Sequence, residues 1–145
     1  MINLDELKTS VMKGEEMETV MGKVSWQEFE IFVAEIFKEN GFDVFQNFRF
    51  KGNRRYEIDI LSVKNNLVLA TDCKQWDRGR YKKSAIKNAV EKQIERAEEL
   101  KNILIGENLS IVPLVITLFD EDIIQYKDVW IIPVWKLNEF LLNNL

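Results

Sequence analysis

The chain has 145 residues, 46% apolar and 30% charged, with a formal charge of −4: enough for one hydrophobic core and too apolar for a disordered tail. No apolar run approaches the roughly 20 residues of a membrane helix, and the M-I-N-L-D-E-L-K start lacks a hydrophobic signal core, so a cytoplasmic protein with no membrane contact is expected. With no histidine and only Cys73, Ser-His-Asp and Cys-His catalysis, histidine zinc sites and internal disulfides are excluded.

Residues 1–22 read as a helical lead-in, with Ile2, Leu4, Leu7 and Val11 as a weak apolar stripe broken by Gly14 and Gly22; residues 23–145 read as a single domain. Ser25-Trp26-Gln27-Glu28 spells a capping box, and the helix it opens runs to about Asn40, where Gly41 ends it. Phe29, Phe32, Val33, Ile36 and Phe37 form its apolar arc, and Glu30 falls on the edge of that arc. A carboxylate there either reaches out to water or has a partner that offsets its burial.

Phe42–Phe50 reads as a first strand, followed by a basic turn at Lys51–Arg55. Residues 57–74 then read E-I-D-I-L-S-V-K-N-N-L-V-L-A-T-D-C-K, two apolar runs around Asn65-Asn66, a dipeptide that tolerates a tight hairpin turn. Pairing Lys64 with Leu67 sets Val63 against Val68, Leu61 against Ala70, Asp59 against Asp72 and Glu57 against Lys74, all on one face. Opposed like charges destabilise a sheet, and a divalent cation between them removes the penalty. The hairpin therefore suggests a metal site with Lys74 two residues beyond one ligand; the plainer alternative is two strand ends entering water. Oxygen donors and the absence of histidine favour Mg²⁺ or Mn²⁺. Cys73 points to the other side of the strand, as a buried and inert thiol.

Ser84–Ile105 reads as a second amphipathic helix with Ile86, Val90, Ala97, Leu100 and Leu104 on one face and Gln93 in the middle of it. That glutamine either hydrogen-bonds within the core or orients a functional group. Ile111–Phe119 reads as a buried strand with Pro113 near its start or at an edge, Val129–Trp135 as another strand, and Leu137–Leu142 as a closing helix. The fold class is α/β, a central mixed β-sheet of four to five strands flanked by helices.

Charge is unevenly spread. Residues 49–55 carry +4, residues 74–87 carry +5, and the remainder carries −13, so half of the positive charge brackets the hairpin. A local basic patch is the footprint expected for a phosphate backbone; a solvated loop is the alternative for either stretch alone.

A first-helix Glu30 before Gly41-Phe42, Asp59 opening the second strand, Asp72-Cys73-Lys74 closing the third and Gln93 on the following helix together form a pattern. In this it resembles the PD-(D/E)XK restriction-endonuclease-like nuclease superfamily, most closely the Mrr-type nuclease domains and the archaeal Holliday junction resolvases, over about residues 25–140. The resemblance implies a restriction-endonuclease-like fold and catalytic roles for Glu30, Asp59, Asp72 and Lys74. Mg²⁺ or Mn²⁺ would be held by Asp59, Asp72, the Cys73 backbone carbonyl and Glu30, with Lys74 acting on the water or the phosphate. Gln93 and Glu57 would support the site, although a plain ion pair between Glu57 and Lys74 explains the latter equally. Arg54, Arg55, Arg78, Arg80, Lys82 and Lys83 would contact DNA phosphates, and Trp76 would pack beneath the site or stack on a base.

The implied function is a Mg²⁺-dependent DNA endonuclease of the Mrr or restriction type. The alternatives are a structure-selective Holliday junction resolvase, which requires a homodimer, and an inactive nuclease-fold DNA-binding module. Two positions depart from the pattern: Asp72 stands where glutamate is more usual, and Ala97 where RecB-like relatives carry tyrosine. Target recognition falls to this domain, its lead-in or a partner protein. Alanine at Asp59 or Asp72 is expected to abolish cleavage while leaving the fold intact or stabilised.

Overall fold

The computed structural model describes residues 26–75, 82–104, 108–118 and 123–144. In chain order the elements are α1 (Trp26–Glu39), β1 (Asp43–Lys51), β2 (Arg55–Lys64), β3 (Leu67–Lys74), α2 (Lys82–Ile103), β4 (Ser110–Thr117), β5 (Ile124–Tyr126), β6 (Val129–Pro133) and α3 (Val134–Asn144). The lead-in at residues 1–22 and the Ser25 cap lie outside the described residues.

The strands form one mixed sheet in the order β1-β2-β3-β4-β6-β5. The β1-β2-β3 meander is antiparallel, β3, β4 and β6 run parallel, and β5 folds back antiparallel on β6. Six strands therefore replace the four to five expected. The additional strand is β5, three residues long and joined to β6 by Lys127 and Asp128, both at positive φ (49° and 64°). A two-residue turn with both residues left-handed matches the twist of a hairpin, but usually carries Asn or Gly, so this sequence does not announce it.

Helices cover both faces. On one, α1 and α3 pack with Ile60, Leu69, Cys73, Leu114, Ile116 and Ile132 in the largest apolar cluster. On the other, α2 covers Tyr56, Ile58, Leu61, Val68 and Ala70 through Leu100, and Val115, Val129 and Ile131 through Ile86 and Val90. The apolar arcs read from the sequence are the buried faces: Phe29, Phe32, Val33, Ile36 and Phe37 on α1, and Ile86, Val90, Ala97 and Leu100 on α2.

The end of α1 follows from Gly41, at φ +89°. The Phe42 amide donates to the Phe37 carbonyl (3.2 Å) and the Gly41 amide to Lys38 (3.0 Å), while the rings of Phe37 and Phe42 meet edge to face at 5.8 Å. This is a Schellman stop with its apolar contact, and it delivers the chain into β1. At the basic turn, a Cβ on Gly52 would collide with the Glu99 carboxylate, which also accepts from the Asn53 amide (3.3 Å). Pro113 sits in β4 beside Ala70, one residue before β4 begins to pair with β6. The strand expected to reach Trp135 stops at Pro133, and α3 starts directly at Val134.

Candidate active site

The hairpin register is the one the sequence predicts, from Lys64–Leu67 through Ile60–Thr71. There the ladder ends. Asp59 and Asp72 stand just past the last pair, where β2 and β3 part, instead of facing each other inside it. The cause lies partly in β1. Gln46 pairs with Ile60 and Phe48 with Ile58, but Asn47 and Asp59 between them are skipped, and Asn47 is at φ +52°. Asn is among the few residues that adopt that conformation readily. The kink shows in the side chains: Ile60 joins the α1-side cluster, whereas Ile58 and Leu61 both join the α2-side cluster. Strict alternation would put Ile58 and Ile60 on one face; the switch falls at Asp59.

With β2 turned away, the Asp59 carboxylate fills its place, and Oδ2 accepts the Cys73 amide at 2.9 Å. Asp72 is 5% exposed. Its Oδ2 is buried and accepts no hydrogen bond among the described residues; Lys74 Nζ lies 3.3 Å from it as an ion pair. Glu30, 8% exposed, enters from α1. Burial, then the Asp59 charge, raises the Glu30 carboxyl to about 7, with smaller contributions from Glu57 and Asp72 and an opposing Trp26 hydrogen bond. Burial raises Asp72 to about 6, with Asp59 adding and Lys74 and Arg96 opposing. Burial and the charges of Asp59, Asp72 and Glu30 push the Cys73 thiol well up, which keeps it neutral and inert. The structure thus gathers Glu30, Asp59, Asp72 and Lys74 around the carboxyl end of β3.

Other expectations are corrected. Glu57 does not face Lys74: the strands have parted before that position, Lys74 pairs with Asp72, and Glu57 binds Arg49 (3.3 Å), its cross-strand neighbour in β1. Arg54 is drawn into an ion pair with Glu95 of α2 and lies over the Tyr56 ring at 5.1 Å, so it ties the basic turn to the helix. Arg55 and Lys83 are exposed. Trp76, Arg78, Arg80 and the Lys82 side chain lie outside the described residues. Arg49, Phe50, Lys51, Arg55, Tyr56 and Glu57 line an open groove of about 650 Å³ on the strand segment that leads to Asp59.

Gln93 is fully buried and donates Nε2 to the Ala70 carbonyl at 2.7 Å. Its Oε1 accepts from Arg96 Nη1 (2.9 Å), and that guanidinium nitrogen lies 3.7 Å from Asp72 Oδ1. Arg96 is absent from the sequence-based site. Its signal is the i+3 spacing from Gln93, which sets both on one helix face.

Among the described residues, no three carboxylate or thiol side chains stand close enough together to hold a metal ion in their present rotamers. Asp59 is drawn to Cys73, Asp72 to Lys74 and Arg96, and Glu30 to Trp26. The donor chemistry nevertheless fits a hard divalent cation. Every carboxylate donor is oxygen, two flank the same strand end, and Asp72 Oδ2 is a buried acceptor without a donor.

A mixed sheet between helices, opened at one strand end around carboxylates and a lysine, has the architecture of a restriction-endonuclease-like domain. The chain belongs to the nuclease-related domain (NERD) family within that superfamily, which it matches over residues 25–118, from α1 through β4. It is also 34% identical over 119 residues to an uncharacterized protein of Archaeoglobus fulgidus, covering 81% of this chain and 90% of that one. A crystal structure of a protein of unknown function aligns with 22% identity and a TM-score of 0.45 over 61% of this chain, which spans 45% of the solved chain. No helix among the described residues is long and apolar enough to cross a membrane.

Proposed function

We propose that this chain is a Mg²⁺- or Mn²⁺-dependent DNA endonuclease of the Mrr or restriction type, hydrolysing phosphodiester bonds at the carboxyl end of β3. The observation that carries the reading is Asp72 Oδ2, buried, without a hydrogen bond and met only by the Lys74 ion pair (3.3 Å), at the point where β2 leaves the ladder. Buried carboxylates with raised pKa are costly to maintain, and such groups concentrate at functional sites. Membership of a nuclease-related family agrees with it.

Asp59 and Asp72 would hold the cation, with Glu30 completing the acidic wall from α1 and the Cys73 carbonyl beside them. The chemistry a bound Mg²⁺ supplies is Lewis-acid polarisation of the scissile phosphate. Lys74, freed from Asp72 Oδ2, orients the attacking water or stabilises charge on the phosphate in the transition state. Lys51 and Arg55, in the groove beside the Arg49–Glu57 pair, offer positive charge to the backbone that flanks the cut.

The test is cleavage of supercoiled plasmid and of a synthetic four-way junction, in Mg²⁺ or Mn²⁺ against EDTA, with Asp72→Ala alongside. Metal-dependent cutting of plasmid that the variant loses is the expected result. Preference for the junction, with a dimer by light scattering, would replace this reading with a resolvase. DNA binding without cutting in either metal would replace it with an inactive module.

A further inference from the structure

Asp72 has a cation beside each oxygen, and the two cations are held in different ways. Lys74 reaches Oδ2 from two residues along the same strand, and Asp72 is its partner among the described residues. Arg96 reaches Oδ1 from the opposite helix, and its position is fixed by a bracket. Gln93 Nε2 donates to Ala70 O (2.7 Å), and Gln93 Oε1 receives Arg96 Nη1 (2.9 Å). Ala70 and Asp72 are two residues apart on one face of β3. The bracket therefore runs from the backbone of the strand, through the helix, back to a carboxylate on that strand.

Neutralising a buried acid does not require this construction; a flexible lysine would serve. A planar guanidinium held by a glutamine with no exposure to solvent supplies direction instead. It occupies the Oδ1 side and leaves Oδ2, which has no hydrogen bond, to the Lys74 ion pair alone. Partners of a ligand that fix its orientation are part of a metal site, even where they never touch the ion.

We infer that Arg96, tethered by Gln93, is a positioning residue that fixes the Asp72 carboxylate for the cation, a role that rests on the metal-site reading above. Two accounts of Arg96 differ in sign. As a nearby positive charge it opposes cation binding, and its removal tightens the site. As a positioning residue it prepares the ligand, and its removal loosens the site.

The experiment is a calorimetric Mn²⁺ titration of the full chain, without nucleic acid, for wild type, Arg96→Met, Gln93→Met, the double variant and Asp59→Asn. The expected result is roughly tenfold weaker Mn²⁺ binding in Arg96→Met. Gln93→Met should lose about as much although every charge is kept, and the double variant no more than the worse single, because the pair acts as one unit. Unchanged or tighter binding in Arg96→Met overturns the inference. Should that variant fail to fold, Gln93→Met decides alone, and wild-type affinity there overturns it. Wild type that binds no Mn²⁺, or Asp59→Asn that binds as wild type does, overturns the metal-site reading and this role together. Weak binding in Asp59→Asn with tight binding in Arg96→Met removes the Arg96 role only.

Discussion

Asp59 Oδ2 accepts the Cys73 amide hydrogen at 2.9 Å, so a carboxylate occupies the ladder position that the β2 backbone gives up. This one contact gives Asp59 a structural role beside its proposed chemical one. It also revises the expectation that alanine at Asp59 would leave the fold intact or stabilise it. Asp59→Ala strands a partly buried amide and should cost about 1–2 kcal/mol. Asp59→Asn keeps an acceptor there and should cost less, yet both should abolish cleavage. Urea denaturation of the two variants beside a plasmid assay checks this; equal stability in both would remove the structural role.

Metal-free stability should fall as pH rises from about 4 to 7. Asp72 and Glu30 have folded-state pKa values raised to about 6 and about 7 from 3.8 and 4.5, so within that window the folded chain binds more protons than the unfolded one. Stabilisation is full below the unfolded values and is lost as the folded values are passed. The Asp72 share is on the order of 3 kcal/mol, and Asp72→Asn should recover much of it at pH 8 in EDTA. Thermal midpoints across pH, with and without Mg²⁺, test it. A midpoint that rises with pH in EDTA contradicts the burial of these acids.

Lys74→Met should separate binding from turnover. Lys74 lies beside Asp72 Oδ2, the oxygen offered to the cation, so removing it should leave Mn²⁺ affinity unchanged or somewhat tighter. Cleavage should drop at least about 100-fold, the usual cost of losing a group that stabilises a transition state. A calorimetric titration and single-turnover rates on one plasmid measure both. Weaker Mn²⁺ binding would give Lys74 a structural part in the site.

Arg54 and Arg55 are adjacent but should behave differently. Arg54 is committed to Glu95 and the Tyr56 ring, so Arg54→Ala should shift the melting midpoint slightly and leave DNA affinity nearly unchanged. Arg55 is exposed in the groove, and Arg55→Ala should weaken DNA binding across sequences and reduce the salt slope by about one. Fluorescence anisotropy at several salt concentrations tells the two apart.

The features legible in the sequence are those set by neighbours along the chain. Gly41 marks the end of α1, the spacing of Phe29, Phe32 and Ile36 its buried face, and Asn65-Asn66 the register of the hairpin. The order Glu30, Asp59, Asp72, Lys74 follows from the same patterns. The place where the hairpin opens was not legible, because Asn47, twelve residues before Asp59 and on another strand, takes part in setting it. Read against β3 alone, Glu57 faces Lys74; its nearer cation, Arg49, sits across from it on β1. Arg96 reads as one more surface charge on a charged helix until the fold lays Asp72 against it.

The β1-β2-β3 meander also bears on how the chain folds. Its strands are joined by short turns, so its contacts are local and cheap in loop entropy, whereas β4 must wait for α2 to cross over before it can pair with β3. The order of the chain thus lets the meander that carries Asp59 and Asp72 form from local contacts, while the Gln93 and Arg96 bracket arrives only with the crossover.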